Sequence, residues 1–159
     1  MIIRKADISE DQMCAELIRR AFADVAQRFS LTMENCPSNP AFITADRIRA
    51  IVEKDGELFV YELAGEPVGF AAVVPVEKGA FELEKLCVLP EFRERGIGSL
   101  LIKLCAKTAA DRGADVLKIG IIKENTILKR WYEKNGFVFT GIATFKTLPF
   151  TVEFMELRL

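Results

Sequence analysis

The stretch Leu86-Cys87-Val88-Leu89-Pro90-Glu91-Phe92-Arg93-Glu94-Arg95-Gly96-Ile97-Gly98-Ser99-Leu100 concentrates the chemistry legible in this chain. An apolar strand candidate feeds a glycine-bearing loop, and the loop feeds the start of an amphipathic helix. The first N–H groups of a helix lack intrahelical partners and carry partial positive charge, so they bind anions. Gly96 and Gly98 let the main chain approach a phosphate without a Cβ in the way. Arg93 and Arg95 would add positive charge, and the arrangement asks for a pyrophosphate. Neither common nucleotide motif is present. Leu101 fills the third glycine position of G-x-G-x-x-G, and no G-K-[ST] follows at P-loop spacing. A tight strand-to-helix turn without a ligand is the plain alternative.

Other residue types bound the reaction. The chain has no histidine, which removes His triads, His metal sites and His bases. Acid–base work falls to carboxylates, Tyr, Cys, Lys or water. Cys14, Cys36, Cys87 and Cys105 have no metal-site or C-x-x-C spacing and read as reduced, mostly buried thiols.

The elements that must position these groups follow from periodicity. Ile2 to Ala6 is a short strand. Ser9 is placed as an N-cap with Gln12 at the capping-box position, ahead of Cys14, Leu17, Ile18, Ala21, Phe22 and Val25 at helical spacing. Phe29 to Phe42, with Asn35, Pro37, Asn39 and Pro40, reads as a long irregular connection, functional or merely surface. Thr44 can cap a short helix through Ile48, Ile51 and Val52. Leu58 to Tyr61 and Val68 to Val76 form a hairpin around Ala64-Gly65-Glu66. Phe81 to Val88 is a further strand, and alternation puts Glu82, Glu84, Leu86 and Val88 on one face of it. The helix opened by Gly96-Ile97-Gly98 ends at Gly113. A strand over Val116 to Ile121, a helix over Asn125 to Lys134 and two strands over Phe137 to Phe145 and Thr151 to Leu157 complete a mixed α/β sheet with hairpins and a parallel crossover.

Bulk composition is that of one soluble domain over residues 1–159, with 50% hydrophobic and 28% charged residues. Twenty-two Lys+Arg against 23 Asp+Glu leave a net charge of −1, which disfavours a nucleic-acid binder. The longest apolar run, Pro67 to Val76, is half of the ~20 residues that a spanning helix needs. The N-terminus lacks a signal-length apolar segment. A cytoplasmic location without membrane contact is expected.

Arg93-Glu94-Arg95-Gly96-Ile97-Gly98 matches the R/Q-x-x-G-x-G/A signature of the GNAT superfamily of N-acetyltransferases, and Val88-Leu89-Pro90 matches the V-x-P before it. Asn125 and Tyr132, followed by Asn135-Gly136-Phe137, resemble that family's N-x-x-A-x-x-x-Y…G-F block. The motifs cover Phe81 to Phe137. The resemblance implies a central, mostly antiparallel seven-stranded sheet with a splayed parallel strand pair and about four flanking helices.

It also implies acetyl-CoA as donor, no metal, and direct attack of an amine on the thioester in a ternary complex. The main chains of Leu86, Cys87 and Val88 would line the pantetheine arm, with the N–H of Leu86 or Cys87 polarising the thioester carbonyl. The segment Arg93, Glu94, Arg95, Gly96, Ile97, Gly98 and Ser99 would hold the pyrophosphate through the amides of Arg95 to Ser99. Asn125 would contact pantetheine or fix the helix beside it. Tyr132 takes the position of the leaving-group acid, against a packing role for the same ring. Glu82 matches the base of histone-acetylating members, with Glu84 beside it; a water chain is the alternative, as is a solvated strand end. An acyl-cysteine route through Cys87 is disfavoured for want of a base. Leu128 departs from the family's small Ala, which would narrow the channel or change acyl preference.

In this family's fold the acceptor cleft would be lined by Phe29 to Phe42 and Lys146 to Thr151. Lacking concentrated carboxylates there, it suits a small-molecule or amino-acid-like amine better than a protein lysine or N-terminus. Its aromatics alternatively just pack the core. A non-catalytic acyl-CoA sensor and a fold retained without ligand are the competing classes. A monomer or homodimer is expected.

Overall fold

A computed structural model describes residues 1–159. The elements run β1 (Ile2–Lys5), α1 (Asp11–Arg28), α2 (Ala45–Glu53), β2 (Glu57–Leu63), β3 (Glu66–Glu77), β4 (Ala80–Val88), α3 (Ile97–Asp111), β5 (Val116–Ile122), α4 (Thr126–Lys134), β6 (Val138–Thr144) and β7 (Thr151–Arg158). One seven-stranded sheet has the order β1-β2-β3-β4-β5-β7-β6. Every neighbouring pair is antiparallel except β4 and β5. This is the mixed sheet with four helices that the sequence implied.

The sheet is covered on both faces. On β3, Val74 lies beside Ile51 of α2, both close to Gly56, while Gly69 on the opposite face sits against Ile97 and Leu101 of α3. Helix α1 buries Cys14, Leu17, Ile18 and Ala21, and α3 buries Leu101, Ile102, Cys105 and Ala109. With Phe70, Ala71, Ala72 and Val73 between them, these residues form one continuous core. Strand β3 is consequently apolar and buried on both faces from Val68 to Val74.

Two expected caps are corrected. The first helix is entered through a 3-10 turn whose N-cap is Asp7, not Ser9: the Asp7 side chain accepts from Ser9 N, and Glu10 reaches back to Asp7 N. Carboxylates outcompete the Ser9 hydroxyl here because a charged acceptor binds an orphan N–H more strongly. Thr44 holds the cap position of α2 but makes no capping bond, since its hydroxyl donates to Asp46 instead. Gly113 does close α3, at φ 86°. No helix is long and apolar enough to cross a membrane.

Candidate active site

The site begins where the parallel pair separates. The β4–β5 ladder holds only Ala80↔Val116, Phe81↔Leu117 and Glu82↔Lys118. Beyond it β4 continues to Val88 and β5 to Ile122 without pairing to each other. A bulge drives the separation. Between Ala72↔Glu84 and Phe70↔Cys87, β4 carries an extra residue, and Lys85 there adopts φ 56°. An inserted residue bends its strand and raises the local twist.

The bulge also corrects the expected alternation. Glu82, Glu84 and Cys87 pair with Val74, Ala72 and Phe70 and so share the α1/α2 face, whereas Val88 pairs with Gly69 on the α3 face. Glu82 and Glu84 remain together; Val88 does not join them. An αL residue inside an apolar strand has no signal in residue type when that residue is Lys.

At the wide end of the crevice, the chain turns through Pro90–Phe92 into α3. Glu94 has φ 61° and Gly96 φ 79°. Left-handed residues alternating with ordinary ones turn successive N–H groups towards one concave spot, which makes an anion nest. Leu100 N is the first amide of α3 to close a turn, onto Gly96 O, and no side chain caps the helix. The amides from Glu94 to Ser99 are thus left without a protein acceptor. Six free donors ahead of a 15-residue helix suit a diphosphate.

Two motif residues act differently from expectation. The guanidinium of Arg93 does not face the nest. Its Nε donates to Val88 O at 3.0 Å, and its terminal nitrogens donate to Asp24 at 2.5 and 3.1 Å and to Ala21 O at 2.7 Å. It ties the loop to β4 and α1, and its charge is already matched by Asp24. Gly98 is required by packing as well: a Cβ there would lie 2.9 Å from Trp131 of α4. Gly96, by contrast, has open space where its Cβ would be. Arg95 stacks on Phe92 with its guanidinium carbon 5.2 Å from the ring centre. It donates to Glu91 O at 3.1 Å and lies exposed beside the nest.

Helix α4 supplies the next wall. Asn125 is buried at its N-cap and accepts from Leu128 N at 3.3 Å. Its side chain thereby fixes the start of the helix. Leu128 is half-buried and packs on the core. Trp131, Tyr132 and Phe137 form a chain of edge-on rings with centres 5.0 and 5.2 Å apart. Burial pushes the Tyr132 phenol up, so it holds its proton across the physiological range. Tyr132 takes part in no hydrogen bond, yet the only fully enclosed side-chain polar atom without a partner is Glu153 Oε2.

Glu82 stands at the apex, the last paired residue before the strands part. Burial pushes its carboxyl up, and the neighbouring Glu84 adds to the shift. No salt bridge holds Glu82 in its charged form. It borders a recess of about 300 Å³ over β5, β7 and β6, with Lys118, Gly120, Phe154 and Glu156. Lys118 is held by Glu77 and Glu156. Sequence reasoning missed these four residues. Their shared face follows from alternation, but β7 lying between β5 and β6 does not. Cys87 is buried, and burial raises its thiol to about 12, which leaves too little thiolate for nucleophilic work. Phe29 and Phe150 of the expected cleft loops pack, with Leu148, around Ala26, Leu31 and Cys36.

A splayed parallel pair, a nest at its wide end and a poised carboxyl at its apex define an acyltransferase architecture. The family model for the acetyltransferase (GNAT) family matches residues 13–137, and the chain belongs to that family. An uncharacterized N-acetyltransferase of Mycobacterium tuberculosis is 34% identical over 82 residues, covering 52% of this chain and 53% of that protein. One from Methanocaldococcus jannaschii is 35% identical over 91 residues, covering 54% of this chain and 40% of that protein. The chain thus matches about half the length of these relatives.

Among solved structures, a putative acetyltransferase of Salmonella typhimurium with its cofactor acetyl-CoA superposes with TM-score 0.76 at 22% identity, covering 100% of this chain and 94% of the other. The ribosomal-protein-S18-alanine N-acetyltransferase of Escherichia coli gives TM-score 0.76 at 16% identity, over 99% and 92% of the chains. At these identities the likeness is one of fold.

Proposed function

We propose that the chain is an N-acetyltransferase that moves an acetyl group from acetyl-CoA to a primary amine, a small-molecule or amino-acid-like acceptor, by direct attack in a ternary complex. Acetyl-CoA supplies an activated thioester when bound. The observation that carries the reading is the run of six unpartnered amides from Glu94 to Ser99, set at the mouth of the β4–β5 crevice.

The chain's residues divide the work. The amides of Glu94 to Ser99 hold the diphosphate. The unpaired edge of β4 at Leu86, Cys87 and Val88 lines the pantetheine arm, and an N–H of Leu86 or Cys87 polarises the reacting carbonyl. An alkyl ammonium has a pKa near ~10 and must lose a proton before attack. Glu82, its carboxyl pushed up by burial and further by Glu84, removes it directly or through water. Tyr132, held protonated by burial, donates to the departing thiolate. A sensor without turnover has no use for the unpaired Glu82 carboxyl at the apex.

Free-thiol release from acetyl-CoA across a panel of amines, including a peptide beginning with alanine, tests the reading. Acceleration by small amines supports it. Thermal stabilisation by coenzyme A without acceleration by any amine would leave a binding module. Failure of millimolar coenzyme A to stabilise the protein would remove the ligand altogether.

A further inference from the structure

The recess at the crevice apex has an unusual charge balance. Two carboxylates, Glu82 and Glu156, line it together with one cation, Lys118. That cation is already committed. It forms a short bond to Glu77, and Glu156 approaches it at 3.8 Å. The other lysines whose fields reach Glu82 are Lys85 and Lys54, and neither lines the recess. The remaining polar side chain is the neutral hydroxyl of Thr140. A ligand therefore meets one carboxyl without an ion-pair partner and no free positive charge.

The floor is apolar and bare. Gly120, in the middle of β5, is exposed, and Phe154 of β7 lies beside it. A buried charge needs a partner, and a like charge held beside it is strongly disfavoured. An α-amino acid carries its carboxylate on the amine-bearing carbon. Docking its ammonium on Glu82 would bring that carboxylate to the same spot, with nothing to receive it.

We infer that the acceptor is a small primary amine without a carboxylate beside its amine, its ammonium against Glu82 and its apolar body over Gly120 and Phe154. This inference rests on the acetyl-transfer reading and narrows it. Glu156 becomes a specificity-determining residue, because it helps keep Lys118 from receiving an acceptor carboxylate.

The test is a matched pair, 2-phenylethylamine against phenylalanine, in the free-thiol assay with acetyl-CoA and the intact chain. The expected result is kcat/KM at least tenfold higher for phenylethylamine. In Glu77→Gln/Glu156→Gln, which frees Lys118 of both partners, the relative rate for phenylalanine should rise several-fold, while coenzyme A still stabilises the protein. Equal rates for the two amines, or a selectivity unmoved by Glu77→Gln/Glu156→Gln, would overturn the inference while leaving acetyl transfer intact. Turnover of other amines with none for phenylethylamine would overturn it as well. Loss of coenzyme A stabilisation together with thiol release from every amine would instead sink the acetyl-transfer reading beneath it.

Discussion

Arg93 and Asp24 join the loop ahead of α3 to the first helix through two hydrogen bonds of 2.5 and 3.1 Å. The arginine of the loop motif thus ties the loop to β4 and α1. Arg93→Ala removes these bonds and those to Val88 O and Ala21 O, and should cost about 1–3 kcal/mol of stability. Asp24→Asn, at a more exposed position, should cost under about 1 kcal/mol. Chemical denaturation checks both. In kinetics, Arg93→Ala should raise KM for acetyl-CoA with a smaller change in kcat. Abolished coenzyme binding at unchanged stability would assign Arg93 to the phosphate instead.

Gly98 and Trp131 should behave as a coupled pair. Gly98→Ala forces a Cβ to 2.9 Å from the indole, and overpacking of this kind costs about 1–3 kcal/mol. Combining it with Trp131→Leu should recover part of that loss, giving a coupling energy of about 1 kcal/mol in a double-mutant cycle. Gly96→Ala has room for its methyl but must hold φ 79°. It should lose about 1–2 kcal/mol regardless of Trp131.

Glu82 links activity to stability. A carboxyl whose folded pKa is raised binds its proton more tightly folded than unfolded. Folding is helped while the group is protonated and loses that help as pH rises past the raised value. Glu82→Gln should therefore melt higher than the parent at pH 8, with the gap closing towards pH 4. Its turnover should fall ~10²-fold or more, and the acid limb of kcat/KM should disappear. An unchanged acid limb would transfer the base role to a water chain.

Tyr132 and Cys87 separate the acid from an acyl-enzyme route. Tyr132→Phe should slow kcat while leaving the affinity for coenzyme A unchanged. Cys87→Ala should keep turnover within about twofold, because a thiol raised to about 12 by burial supplies almost no thiolate at neutral pH. Steady-state kinetics on both variants decides the matter.

Much of this was legible in the chain, and the reason is local. The strand alternation, Gly113 closing α3 and Gly96 ahead of Ile97 are all set by residues within a turn or two of each other. What the chain hid is long-range or backbone-encoded. Asp24 lies 69 residues from Arg93. The left-handed Lys85 has no compositional mark, so the bulge that turns Val88 away from Glu82 and Glu84 stays silent. Lys118, Gly120, Phe154 and Glu156 show their alternation plainly. They become one recess only because β7 inserts between β5 and β6.

The central claim is that the free amides from Glu94 to Ser99 grip a diphosphate and lay the thioester arm between β4 and β5. A crystal structure of the protein grown with acetyl-CoA tests it most directly. The account predicts diphosphate oxygens within hydrogen-bonding distance of those amides and pantetheine alongside Leu86 to Val88. Coenzyme bound elsewhere, with those amides facing only solvent, would contradict it.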